Sequence, residues 1–238
     1  MTLELNQLCL MDCIDGMKEI SDKSVDLIIT DPPYGIRTNH GVGDGSIGGF
    51  GSFAYRTPLW SPKKYVMYDD TKIPSKEYFD EMFRISKNQI IFGGNYFTEF
   101  LPASSCWIVW DKENTGNFAD AELAWTSFKT AVRIFKYKWN GMLQEDMIHK
   151  ERKIHPTQKP VPLFEWIIKN YAKKGDVICD PFFGSGSCLV AAVRQGHQFI
   201  GFEKEQSYFD AAQIRIKKAQ EQTKIIRWSF DDDGRGWI

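Results

Sequence analysis

Two kinds of apolar run alternate along the chain. Short apolar runs at 25–31 (V-D-L-I-I-T-D), 88–95 (N-Q-I-I-F-G-G-N), 106–111 (C-W-I-V-W-D), 176–182 (D-V-I-C-D-P-F) and 198–203 (Q-F-I-G-F-E) read as strands, and the continuous V-D-L-I-I-T is what is expected where both sheet faces are covered. Residues 5–12 read as a further strand. Between them the spacing turns helical. The segment S-K-E-Y-F-D-E-M-F-R-I-S opens on a capping serine, Ser75, and sets Tyr78, Phe79, Met82, Phe83 and Ile85 on one face. Further helices are predicted over 15–21, 96–101, 161–174 (stopped by Gly175), 187–195 (stopped by Gly196) and 206–222. Two runs, 121–128 and 131–137, read as strands paired antiparallel with each other. Strands alternating with helices predict an α/β fold built on a doubly wound, mainly parallel sheet, with the antiparallel pair at one edge.

Two segments fall outside the pattern. Residues 35–71 are glycine-dense and irregular, a loop insertion too long for a passive connection and therefore expected to serve as a lid or binding arm. The tail from Lys224 onward has no placement, and no internal repeat is present. At 238 residues, 42% of them apolar, the chain suits one large domain with an insertion. No apolar stretch approaches the length of a membrane span and the first residues lack a secretory pattern, so a cytoplasmic protein with no membrane segment is expected. Cys9, Cys13, Cys106, Cys179 and Cys188 form no C-x-x-C pair and read as buried reduced thiols. The four histidines have no ligand spacing, so no metal is expected.

The candidate chemistry sits where strands end. Asp31-Pro32-Pro33-Tyr34 follows the run at 25–30, and proline cannot continue a ladder. The strand therefore stops in a rigid elbow that carries a carboxylate, a stiffly aimed carbonyl on Pro32 and an aromatic ring. Asp180-Pro-Phe-Phe-Gly184-Ser-Gly186 follows the run at 176–182 in the same way, with two glycines that let a ligand approach the backbone and a helix just beyond. No Lys-Ser or Lys-Thr follows these glycines, which argues against a nucleoside triphosphatase. Glu203, at the end of the next strand, stands where an acid holds ribose hydroxyls in dinucleotide-binding folds. By itself the glycine turn indicates only a nucleoside-bearing cofactor, or a tight turn made for packing.

Together with His155-Pro-Thr-Gln-Lys-Pro160, these motifs resemble those of the S-adenosylmethionine-dependent amino-methyltransferases of DNA, which methylate adenine N6 or cytosine N4. The resemblance covers most of the chain. The catalytic motif precedes the cofactor motif, the circularly permuted order of the beta class, and this implies a single class I methyltransferase domain with a Rossmann-like sheet. It implies that Asp31, Pro32, Pro33 and Tyr34 are catalytic. It also implies that Asp180, Phe182, Gly184 and Gly186 surround the methionine moiety of the cofactor, that Glu203 holds the ribose, and that Thr157 and Lys159 lie near the cofactor carboxylate. Asp12 resembles the acid beside the cofactor's adenine, although Met11 stands where the family usually has Gly and a plain helix cap accounts for Asp12 equally well.

The resemblance changes how the charge distribution reads. Formal net charge is only −1, but residues 129–159 hold eight basic residues against three acids. A solvated face is the ordinary account of such a run. In the beta class, however, the segment before H-P-T-Q-K-P reads the target sequence. Residues 129–154, with Lys129, Arg133, Lys136, Lys138, Lys150, Arg152 and Lys153, are thus the expected double-stranded DNA contact. The interval is short for the family, so the 35–71 loop or a second subunit of a homodimer is expected to share the task. Asp at the head of the elbow is the family's usual sign of an adenine N6 enzyme acting on a flipped base. The alternatives are cytosine N4, adenine in RNA, or a DNA-binding relative that has lost turnover. A cognate restriction enzyme, as in a restriction–modification pair, is not readable from the chain.

Overall fold

A computed structural model of the protein describes residues 4–36, 71–113, 119–140 and 143–228. Most of the 35–71 loop, including Arg37, Arg56, Lys63 and Lys64, lies outside the described residues, as do residues 229–238. Eight strands form one sheet: β1 (Gln7–Leu10), β2 (Val25–Thr30), β3 (Ser86–Phe92), β4 (Trp107–Asp111), β5 (Ala121–Thr126), β6 (Arg133–Lys136), β9 (Val177–Asp180) and β10 (Gln198–Glu203). They lie in the order β1-β10-β9-β2-β3-β5-β4-β6. Within it only β5 runs against the others. Strands β7 (Trp139–Asn140) and β8 (Leu143–Gln144) make a separate short ribbon that the sequence pattern does not announce.

Helices cover both faces, as the nearly continuous apolar runs of the central strands demand. Leu27 and Ile29 of β2 and Ile90 and Phe92 of β3 pack on one side with α3 (Val161–Tyr171), α4 (Ser187–Arg194) and α5 (Gln206–Trp228). Ile28 and Ile91 face the other side, against α1 (Cys13–Lys18) and α2 (Lys76–Ile85). Helix α2 forms as its sequence dictates. Ser75 accepts a hydrogen bond from the Tyr78 amide, and Tyr78, Phe79, Met82 and Ile85 are buried at helical spacing. All five cysteines are buried free thiols.

Four expectations need correction. The strands at 121–128 and 131–137 do not pair with each other: β4 lies between β5 and β6, antiparallel to the first and parallel to the second. The connection after β5 passes round the start of β4 and is tied there. Thr126 Oγ1 donates to the Cys106 carbonyl at 2.8 Å and Ser105 Oγ donates to the Thr130 carbonyl at 3.1 Å. Helix α3 ends at Tyr171, where Ala172 turns extended, short of Gly175. Helix α5 runs on to Trp228 and takes in part of the tail that had no placement. In place of a helix at 96–101 there is one 3₁₀ turn over Gly94–Tyr96.

The order places the two motif-bearing strands side by side. Strand β2 leads on to β3 in one direction and β9 leads on to β10 in the other, so the sheet reverses its winding between them. In open α/β sheets that reversal point is where ligands sit.

Candidate active site

The elbow and the glycine turn leave the carboxyl ends of β2 and β9 and open on one cavity of about 740 Å³. Asp12, Asp31, Pro32, Pro33, Tyr34, Lys153, Thr157, Lys159, Asp180, Phe182, Gly184 and Glu203 all line it. Gly186 is not part of the wall. It caps α4 in a left-handed conformation, φ +72°, and a Cβ there would come within 3.0 Å of Ala212 on α5, so its role here is to seat one helix against another. Asp12 is both a wall residue and the N-cap of α1, accepting from the Ile14 amide at 2.8 Å.

At the elbow, charges are packed together. Tyr34 donates its hydroxyl to Asp31 Oδ1 at 2.5 Å, and the Lys159 ammonium lies 2.5 Å from Asp31 Oδ2 and 3.2 Å from the Tyr34 hydroxyl. The Lys159 side chain is only 5% exposed, above the Phe92 ring at 4.8 Å. Its second acid is Glu122 on β5, at 2.9 Å, and Glu122 in turn pairs with Lys112, just beyond β4. The Tyr34 ring stacks on Tyr96 with centroids 5.1 Å apart. Gly93, at φ +67°, makes room for it, since a Cβ there would fall 2.2 Å from the Tyr34 ring. Burial pushes the Asp31 carboxyl above its ordinary range, against the pull of Lys159 and with Glu122 adding to the rise. Burial also works against the Glu122 carboxylate, but the Lys159 and Lys112 ammoniums outweigh it and hold its pKa at about 2. Lys159 is held above its ordinary value, because Asp31 and Glu122 more than offset the cost of burying it.

The turn after β9 presents a different surface. Glu203 accepts from the Gly184 amide at 3.1 Å and the Glu205 amide at 2.8 Å, so each carboxylate oxygen is fixed by backbone and keeps a lone pair for a ligand. Asp180, 4% exposed, accepts from the Phe182 amide at 3.2 Å, and burial pushes its pKa up to about 8. His155 closes the wall near Gly184, its ring 4.3 Å from that of Tyr208. Burial, with Lys153 and Lys159 nearby, pushes its pKa down to about 3. Thr157 is turned towards His155, with Oγ1 3.1 Å from Nδ1.

The basic interval lies apart from this pocket. Lys129, Arg133, Lys136, Lys138, Lys150 and Arg152 are exposed and do not line the cavity; Lys153 alone of the seven does. The interval is pinned to the body by Glu151, which accepts from the Val161 amide at 2.8 Å and pairs with Arg215 of α5 at 3.0 Å. Trp139 donates to the Gln158 carbonyl at 2.9 Å. Sequence reasoning missed Lys112, Glu122, Tyr96 and Gly93. Glu122 did leave a signal, since it is an acid inside the apolar run A-E-L-A-W-T, facing Trp110 across the ladder.

A parallel sheet with one reversed strand near its edge, and a cavity at its winding reversal lined by an Asp-Pro-Pro-Tyr elbow and a glycine turn, defines a class I methyltransferase architecture. Residues 104–214 match the family described as DNA methylase, the N6/N4 amino-methyltransferases. The type II methyltransferase M.HinfI of Haemophilus influenzae is 30% identical over 260 residues, spanning 90% of this chain and 69% of that protein. The chain therefore belongs to the S-adenosylmethionine-dependent DNA amino-methyltransferases. Among solved structures, the M1.HpyAVI–SAM complex shares the fold with a TM-score of 0.53 at 24% identity, over 88% of this chain and 98% of that one. The cytosine-N4-specific PvuII DNA methyltransferase does so with a TM-score of 0.58 at 16% identity, over 98% of this chain and 95% of that one.

Proposed function

We propose that the protein transfers a methyl group from S-adenosylmethionine to the exocyclic N6 of an adenine flipped out of double-stranded DNA, in the cytoplasm. The observation that carries this reading is the Asp31 carboxylate at the head of a rigid elbow, beside a second half-cavity with the donor set a nucleoside needs. Glu203 suits a ribose diol, because its oxygens are anchored by amides and still have lone pairs to offer. The positive φ of Gly184, +47°, suits the close approach of a ligand to the backbone. Bound there, S-adenosylmethionine supplies an electrophilic methyl carbon whose bonding pair stays on sulfur as the new C–N bond forms.

The chain's own residues act on the base. An exocyclic amino nitrogen is a poor nucleophile because its lone pair is delocalised into the ring. Asp31 and the Pro32 carbonyl each accept one N–H bond, drawing the nitrogen towards tetrahedral geometry and aiming its lone pair. The methylated nitrogen then gives its surplus proton to solvent. The stacked Tyr34 and Tyr96 rings offer aromatic surface to replace the neighbours the base has lost. Lys129, Arg133, Lys136, Lys138, Lys150, Arg152 and Lys153 take the phosphates. Adenine is the base proposed because Asp heads the elbow, as it generally does in adenine enzymes of this permuted class, whereas the N4 enzymes more often carry Ser; a carboxylate is also the stronger, charge-assisted acceptor. The same geometry admits cytosine N4. Nucleoside mass spectrometry on DNA treated with pure protein and S-adenosylmethionine decides between them: N6-methyladenine is expected, and N4-methylcytosine alone would overturn the choice of base.

A further inference from the structure

The cavity holds a chain of alternating charges that the transfer reaction, as described so far, does not use. Lys112, Glu122, Lys159 and Asp31 follow one another from four separate segments: the end of β4, strand β5, the loop before α3 and the elbow after β2. Buried ions are costly to keep, and a stability role alone is a poor reason to keep them. The geometry shows where this chain acts. Lys159 reaches both working groups of the elbow at once, Asp31 Oδ2 at 2.5 Å and the Tyr34 hydroxyl at 3.2 Å. Tyr34 takes the other oxygen of Asp31. Glu122 Oε2 is within 2.9 Å of the same ammonium, yet it is a buried oxygen with no aligned hydrogen bond. It acts on Lys159 by charge, as Asp31 Oδ2 does from the other side, while the aligned N–H bond of the ammonium goes to the Tyr34 hydroxyl.

We infer that Lys159 is a positioning residue for methyl transfer, holding Asp31 ionised and oriented towards the base, and that Glu122 opposes this grip by competing for the same ammonium. This assignment rests on Asp31 being the residue that acts on the amino group. It departs from the family-based expectation for Lys159, which places the ammonium near the cofactor carboxylate. The groups that set the ionisation of Asp31 are Lys159, Glu122 and Tyr34, with Asp180 across the cavity on β9. Lys112 acts through Glu122. Removing the cation at 159 makes the Asp31 carboxylate harder to form, so activity is lost at a higher pH. Removing the anion at 122 takes away a repulsion and leaves the ammonium to Asp31, so activity persists to a lower pH.

The test is the pH dependence of single-turnover methylation of unmethylated duplex DNA with labelled S-adenosylmethionine. Lys159→Gln is expected to move the acid limb upward by about one pH unit or more, and Glu122→Gln to move it downward. S-adenosylmethionine affinity, read by calorimetry, should change less than about threefold in Lys159→Gln, because a cofactor contact is not what the change removes. A limb that stays in place in both variants overturns the inference. So does a tenfold or larger loss of cofactor affinity in Lys159→Gln with no movement of the limb. If Lys159→Gln does not fold by circular dichroism, the downward limb in Glu122→Gln carries the test. Full activity of Asp31→Ala would instead fail the assignment of the elbow itself, an outcome separate from either of these.

Discussion

The elbow pocket and the basic interval use the same residue types in opposite ways. In the pocket, Lys159 and Lys112 are neutralised by Asp31 and Glu122 at contact distance, and Lys159 is 5% exposed. In the interval, Lys129, Arg133, Lys138, Lys150 and Arg152 stand exposed, and Lys136 reaches Asp111 only at 3.5 Å. Apolar side chains follow the same division: Ile148 is 88% and Ile134 60% exposed in the interval, whereas Phe92 beneath Lys159 is fully buried. A charge in the pocket acts over a few ångströms at low dielectric and hardly feels salt. A charge in the interval acts through screened water, where number counts for more than placement. One region packs its charges into a cavity and the other spreads them over exposed surface.

The largest effect that could break this contrast is at Asp31. Asp31→Ala is expected to lower kcat by about 10²–10³ or more, on the scale of about 3 kcal/mol for a lost transition-state partner. Cofactor affinity by calorimetry should change little, and a variant that no longer binds S-adenosylmethionine would place Asp31 with the cofactor instead. Of intermediate size is the combined change Lys150→Ala, Arg152→Ala and Lys153→Ala. Plotted as log affinity against log salt, the slope of DNA binding should fall by two to three, roughly one per lost phosphate contact. An unchanged slope would return the interval to the status of a solvated face. The smallest effect sharpens the comparison from the other side. Lys136→Ala removes an exposed, loosely held ion pair, so the melting temperature should stay within about 1 °C of the parent, as is usual for such pairs. A clear drop would mean that the interval's charges also hold the fold together.

Most of the architecture was legible because local patterns and topology agree. The run V-D-L-I-I-T reads as a strand covered on both faces, Ser75 reads as a helix cap, and two strands that end in Asp-Pro meet at the point where the sheet reverses. Proline and glycine fix backbone direction within a few residues, so the elbow and the turn are legible at the positions they occupy. The exchange of β4 and β5 was not legible, since each is an apolar run with a short connection and nothing in either states its neighbour. Nor was the partner of Lys159. It meets Tyr34 from 125 positions away, and its second acid comes from β5, whose neighbours in the sheet the local pattern does not state. The sequence by itself determined most of the elements and the two turns that line the cavity, because those follow from periodicity and backbone geometry over short spans. Only the tertiary structure decided which charges neutralise one another, because a Coulomb interaction in a buried cavity depends on distance through space, and distance along the chain carries almost none of that information.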